Sequence, residues 1–169
     1  NSDGYYEIGN AGQLYWFADL VNGGTATAKG ELTADIVVNE NVLNNDGTLN
    51  GTPSHVWTPI GTETNMFKGT FNGNNHTISG LYTDYGYYIG LFGYASNATI
   101  SNVGVVDSYL SGSGNYATSS YTGGICGYAV STTINLCYNE SFVHGYTNIG
   151  GICGYIWNTT ISNCYNMGA

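Results

Sequence analysis

Three runs in this chain share one form: Gly90-Leu91-Phe92-Gly93-Tyr94, Gly124-Ile125-Cys126-Gly127-Tyr128 and Gly151-Ile152-Cys153-Gly154-Tyr155. Each is followed at a fixed distance by a Thr-Ile pair, at Thr99-Ile100, Thr133-Ile134 and Thr160-Ile161. A fourth pair, Thr77-Ile78, stands upstream. The steps from one isoleucine to the next are unequal, at 22, 34 and 27 residues. A segment of constant length is built into a stack, and a segment of variable length is a loop. Each unit is too short to bury its own apolar side, so neighbours must cover it.

Short apolar runs between Gly and Asn turns then point to an all-β fold, a β-solenoid. Ile78, Ile100, Ile134 and Ile161 are expected to form one interior column. Leu81, Val103, Cys137 and Cys164 are expected to form a second. Rungs of such a stack lie about 4.8 Å apart, so Cys126 should rest on Cys153 and Cys137 on Cys164. The glycines flanking each apolar pair suit corners with positive φ. The identical spacing of Cys126 to Cys137 and of Cys153 to Cys164 admits two readings. Either each repeat holds a disulfide or all four are buried thiols acting as small hydrophobes. No CxxC occurs, and His55, His76 and His144 lie outside this spacing, which argues against zinc.

One helix is expected. Asn10 reads as its N-cap with Gln13 three residues on, and Leu14, Phe17, Ala18 and Val21 make one apolar stripe. Gly23-Gly24 ends it. A solenoid needs a covered end, and this helix is the candidate cover. Residues 1–24 therefore read as an N-terminal helical cap, 25–76 as first strands and long loops, and 77–169 as regular coils, within one domain overall. Residues 31–38 read as a strand and 39–54 as a polar loop. Trp16, just off the stripe, reads either as a sugar platform or as part of the cap packing, and Trp57 lies between loop and strand.

The residues carry a family resemblance. Gly-Gly-Ile-Cys-Gly-Tyr followed by Thr-Ile-Ser-Asn-Cys-Tyr-Asn resembles the GLUG repeat of bacterial surface proteins. Trp57 to Gly61, Phe67 to Gly73 and His76 to Leu81 are similar to the segment that usually precedes such repeats. Leu14 to Asn22 resembles the helix that often opens them. The resemblance implies a right-handed parallel β-helix in a secreted or wall-attached bacterial protein. It implies no single activity, since adhesins, large proteases and glycan-binding proteins share it.

Charge narrows the partners. Lys29 and Lys68 are the only basic residues against 11 acidic ones, for a net charge of −9. Phosphate neutralisation needs clustered Lys and Arg, so nucleic acid is excluded and anionic membranes are disfavoured. No apolar run is long enough for a membrane helix. Uronic-acid lyase chemistry lacks its cations. Phosphate-loop, Gly-x-Ser-x-Gly and HExxH signatures are missing, and no cofactor is expected. The start at Asn1 and the end inside a repeat suggest a piece of a longer exported protein, whose other domains would be partners.

The aromatic content points instead to a neutral glycan, starch-like or of a cell surface. Flat rings cover sugar C–H patches without needing ions, and 16 residues are tyrosine. Tyr94, Tyr128, Tyr155, Tyr138 and Tyr165 follow the repeats and read as architecture. Tyr85, Tyr87, Tyr116, Tyr121 and Tyr146 lie in loops leaving one edge of the stack, with Asp84, Asn115 and His144 nearby. Trp157 stands where its counterparts are Val130 and Ser96, so the stacked repeats do not require it, and it reads either as a binding residue or as packing for a further coil or domain of a longer protein. Trp157, Tyr85, Tyr87, Tyr116, Tyr121, Tyr146, Asp84 and Asn115 are the candidate ligand-binding residues, and no residue is assigned a catalytic or metal-binding role. The competing readings are a structural spacer and a small glycosidase using Asp84, Asp107 and Glu140 on one rim. Asp46 with Asn44 and Asn45 is too poor in carboxylates for a calcium loop.

Overall fold

The computed structural model describes residues 1–113 and 119–169. The chain is mostly β, with parallel sheets and one short helix among the described residues. It opens with β1 (Tyr6–Ile8) and α1 (Ala11–Asn22), then β2 (Lys29–Leu32) and β3 (Ile36–Val37). The next coil holds β4 (Thr70–Ser79), β5 (Tyr82–Thr83), β6 (Tyr88–Ile89) and β7 (Phe92–Ser96). Above it lie β8 (Thr99–Ser111), β9 (Tyr121–Gly123) and β10 (Cys126–Val130). Then come β11 (Thr133–Asn135), β12 (Tyr138–His144), β13 (Ile149–Gly150) and β14 (Cys153–Trp157), and finally β15 (Thr160–Ser162) and β16 (Tyr165–Asn166).

Every pairing between these strands is parallel, and pairing joins equivalent strands of successive coils. The result is three sheets. One has ten strands, one runs β14-β10-β7, and one runs β13-β9-β6. Thr99, Thr133 and Thr160 are in register, as are Ile100, Ile134 and Ile161. Below Ile100 the column continues with Phe71, not with Ile78. Ile78 instead pairs with Val105 above and Ile36 below. Leu81 sits on the level of Ser108, whose hydroxyl accepts its backbone N–H at 2.9 Å. The expected columns are therefore corrected at their first rung. The true step from Phe71 to Ile100 is 29 residues. An interior slot asks only for an apolar side chain of suitable volume, so matching by residue identity selects the wrong Thr-φ pair.

The helix forms where expected. The Asn10 side chain accepts from Gln13 N–H, and Leu14, Phe17, Ala18 and Val21 are all buried. Phe17 reaches the shaft interior, with its ring centroid 6.2 Å from Phe67 and 5.9 Å from Phe71. Phe92 completes this cluster at 5.0 Å from Phe67 and 5.3 Å from Phe71. Trp57 is buried and donates its indole N–H to the Gly90 carbonyl at 3.0 Å. The expected strand over 31–38 is broken into β2 and β3.

The corner glycines do not act through positive φ. Gly90, Gly93, Gly124, Gly127, Gly151 and Gly154 are all outside that region, which is taken instead by Asn97, Asn102, Ser131, Leu136, Asn158 and Asn163. Those glycines serve close approach. A Cβ on Gly124 would lie 2.3 Å from the Asn139 side chain, and one on Gly151 would lie 2.3 Å from that of Asn166. Those two asparagines bond each other, Asn139 Nδ2 donating to Asn166 Oδ1 at 2.7 Å. All four cysteines are free thiols. Cys126 is in register with Cys153, as expected.

Candidate functional site: an outward tyrosine corner

The Gly-φ-φ-Gly-Tyr run carries its apolar residues inward and its tyrosine outward. Cys126 and Ala129 point into the core, leaving Tyr128 and Val130 outside. Because β7, β10 and β14 are in register, Tyr94, Tyr128 and Tyr155 form one outward column. Their ring centroids are 4.6 and 4.5 Å apart. A second column comes from the neighbouring sheet, where Tyr88 and Tyr121 stack at 5.3 Å with 10° between planes. The columns touch: Tyr88 is 5.4 Å from Tyr94, and Tyr121 is 4.8 Å from Tyr128 in an edge-to-face contact. Five tyrosines thus make one continuous surface at a corner of the stack.

Beside this surface lies a groove of about 430 Å³, lined by Glu63, Tyr87, Tyr88, Ser119 and Tyr121. It adjoins a smaller hollow of about 200 Å³ that shares Glu63, Tyr87 and Tyr88 and adds Thr58, Pro59, Gly61 and Thr62. Burial, with Glu63 and the neighbouring phenols adding to it, pushes the Tyr88 hydroxyl up to about 12. Burial raises Tyr94 and Tyr128 as well. These phenols therefore stay protonated through neutral pH, each able both to donate and to accept. Stacked rings cover one another's faces, so the columns present edges and hydroxyls. Open ring faces come from Tyr87, 44% exposed, at the groove, and Trp157, 65% exposed, on the last coil.

The loops expected to share an edge do share it. Gly86 N–H donates to Ser113 Oγ at 2.9 Å, Gly112 N–H to the His144 carbonyl at 2.9 Å, and Ser120 N–H to Thr147 Oγ1 at 2.9 Å. Of the candidate residues, Tyr87 and Tyr121 meet in the groove. Tyr85, 74% exposed, is not among its lining residues. Tyr146 lies on the same edge, with its N–H on Ser120 Oγ at 3.3 Å. Trp157 follows Tyr155 by two residues on β14, which puts both on the same face. Asp84 accepts the Tyr82 hydroxyl at 2.9 Å, and so belongs to the separate column of Tyr82, Tyr109 and Phe142. Asn115 and Tyr116 lie outside the described residues.

Sequence reasoning misses Glu63, Tyr88, Ser119 and the Tyr94, Tyr128 and Tyr155 column. Tyrosines that follow a repeat read as architecture, although a side chain set outward on every rung makes a surface. Glu63 and Ser119 carry no motif, and only the winding of the chain brings them together.

The three acids do not gather at one point, since Asp84 stands apart from the other two. Asp107 accepts the backbone N–H groups of Val42 at 3.2 Å and Leu43 at 2.9 Å, holding the polar loop down. Glu140 pairs with Val106 and so lies near it, while Asp84 follows the Thr83–Leu110 pair several residues further along. Asp46 accepts from its own turn, from Thr48 N–H and from the Thr48 hydroxyl. Among the described residues, no three His, Cys, Asp or Glu side chains converge on a point. A cavity of about 520 Å³ lies in the 38–55 loop. Its Asn39 side chain is occupied in bonding the His55 and Gly80 carbonyls, both at 2.8 Å.

Residues 145–168 match the GLUG motif family. This chain carries a GLUG motif. That match covers the coil from β13 through β16, with both half-buried cysteines and Trp157. A Gly-rich membrane protein of Evansella cellulosilytica, so described only provisionally, is 41% identical over 58 residues. That alignment covers 32% of this chain and 7% of the relative. The crystal structure of a protein provisionally assigned as an immunoglobulin A1 protease, from Bacteroides ovatus, superposes over 100% of this chain with a TM-score of 0.65 and 22% identity. The chain spans 58% of that structure's length, and the likeness is one of fold. Among the described residues, no helix is long and apolar enough to cross a membrane.

Proposed function

We propose that this chain is a non-catalytic, extracellular binding domain of a bacterial surface protein, and that it holds a neutral polysaccharide on the tyrosine corner. The observation that carries this reading is the groove of Glu63, Tyr87, Tyr88, Ser119 and Tyr121 beside a wall of stacked rings. A sugar ring laid on Tyr87 buries its C–H face, while neutral phenols and the Glu63 carboxylate meet its hydroxyls. Trp157 beside Tyr155 extends the strip to the last coil. With a net charge of −9, uronic or sulfated glycans are repelled. The GLUG motif and the relative described as a membrane protein support placement at the cell surface, alongside other domains of a longer chain. The winding is read as right-handed, the sense taken by about 98% of parallel crossovers.

Affinity electrophoresis through gels cast with starch, β-glucan, mannan and xylan tests the reading. At least one neutral gel should retard the protein, and Tyr87→Ala should abolish most of that retardation. One observation favours a second reading, a rigid spacer without a ligand: the Tyr88 and Tyr121 rings, 10° from parallel, stack on each other. Free passage through every gel by folded protein would establish the spacer. No reducing sugar should be released on the same panel. Release would revive the glycosidase reading.

A further inference from the structure

We propose that Cys137 and Cys164, on neighbouring coils, close as a disulfide that staples the last coil to the one beneath it. Both flanks of the pair are in register, Ile134 with Ile161 and Tyr138 with Tyr165, which sets Cys137 opposite Cys164. The Cys137 N–H donates to Cys164 Sγ at 3.4 Å, so the two residues are in contact. In-register neighbours on parallel strands have Cα atoms about 4.8 Å apart, inside the usual 4.4–6.8 Å range of disulfides. The equal spacing within each repeat has no such support. Cys126 lies on β10, in the three-stranded sheet, and Cys137 lies between β11 and β12, on the ten-stranded one.

The pair also has a built-in nucleophile. Cys164 is half-buried and accepts the Cys137 N–H, and the close approach of Cys137 lowers its own thiol to about 6. Cys137 is buried, and its thiol is raised by the neighbouring Cys164 and by burial. The oxidant is a small disulfide such as oxidised glutathione. The Cys164 thiolate attacks one of its sulfurs, a mixed disulfide forms, and one glutathione thiolate leaves. Cys137 loses its proton to solvent and attacks Cys164 Sγ, and the second glutathione leaves as thiolate. Two protein thiols are oxidised to one disulfide, and one glutathione disulfide is reduced to two thiols.

The test uses the 1–169 protein equilibrated in an oxidising glutathione buffer, alkylated, and digested with chymotrypsin. Cleavage after Tyr121, Tyr128, Tyr138, Tyr146, Tyr155, Trp157 and Tyr165 puts the four cysteines in separate peptides, 122–128, 129–138, 147–155 and 158–165. The expected product joins 129–138 to 158–165 and is about 2 Da lighter than the two reduced peptides together. Alkylated thiols in both peptides, or a link from 122–128 to 129–138, would overturn the proposal. In Cys137→Ser, which removes the resolving thiol, Cys164 should accumulate the glutathione adduct. An unmodified Cys164 in that variant, with circular dichroism confirming its fold, would also overturn it.

Discussion

Two tyrosine columns grow from the same repeat and end up with different surroundings. Tyr138 and Tyr165 stack at 4.9 Å with 4° between planes. The Tyr138 ring lies over Gly104, where an added Cβ would come within 2.2 Å of it. That column leans on the backbone of its own sheet, and neither ring lines the groove of Glu63, Tyr87, Tyr88, Ser119 and Tyr121. The Tyr94, Tyr128 and Tyr155 column has the second pair, Tyr88 and Tyr121, and the 58–63 segment against it, with a groove between. Repetition alone builds a stacked column. A candidate binding site arises only where non-repeating loops add walls to it.

The contrast breaks most visibly in binding. Tyr121→Ala should weaken retention on a neutral polysaccharide at least tenfold, about 1.4 kcal/mol, while Tyr138→Ala should leave it unchanged. Equal losses from both variants would mean that the columns act only through stability. The check is affinity electrophoresis of both, with melting curves alongside.

Alkaline pH offers a second contrast. Tyr88 holds its proton to about 12 in the folded protein, against about 10 when unfolded. The unfolded chain therefore loses this proton first as pH rises. The contribution is fully present below pH 10 and disappears as pH climbs from 10 through 12. Tyr88→Phe should flatten that decline in the melting temperature. Absorbance of tyrosinate should show a late-titrating group in the parent that the variant lacks. A variant with an unaltered alkaline decline would remove Tyr88 from the account.

The smallest effect lies on the other column. Leu136, next to Cys137 and Tyr138, has φ of 55°, whereas Asn102 and Asn163 hold comparable positive φ at the matching bends of adjacent coils. A left-handed conformation costs an ordinary side chain roughly 1 kcal/mol, and asparagine tolerates it better. Leu136→Asn should raise stability by about 0.5–1 kcal/mol in denaturant titration and leave glycan retention as it was. Destabilisation would show that the half-exposed Leu136 side chain contributes packing that outweighs the strain.

Much of the stack is legible in the residues alone. The fixed distance from Gly-Tyr to Ile places three rungs in register, and the helix stripe of Leu14, Phe17, Ala18 and Val21 is readable in full. The first rung is not, because Thr77-Ile78 imitates a Thr-φ pair while the true rung carries Phe71. The duty of the corner glycines is also hidden, because a need for close approach and a need for positive φ leave the same letter in a sequence. In the candidate site, Tyr87 and Tyr121 are legible from their loops. Glu63 is not, since it comes from a segment 24 residues before Tyr87, and only coil geometry joins them.

The most direct measurement is a residue-resolved NMR titration with neutral oligosaccharides, beginning with maltoheptaose and laminarihexaose. Signals of Glu63, Tyr87, Tyr88, Ser119 and Tyr121 should move together and saturate with one affinity, while those of Tyr138 and Tyr165 stay still. Saturable shifts confined to Tyr138 and Tyr165, or none anywhere with every neutral sugar of the panel, would contradict the assignment of function to the tyrosine corner.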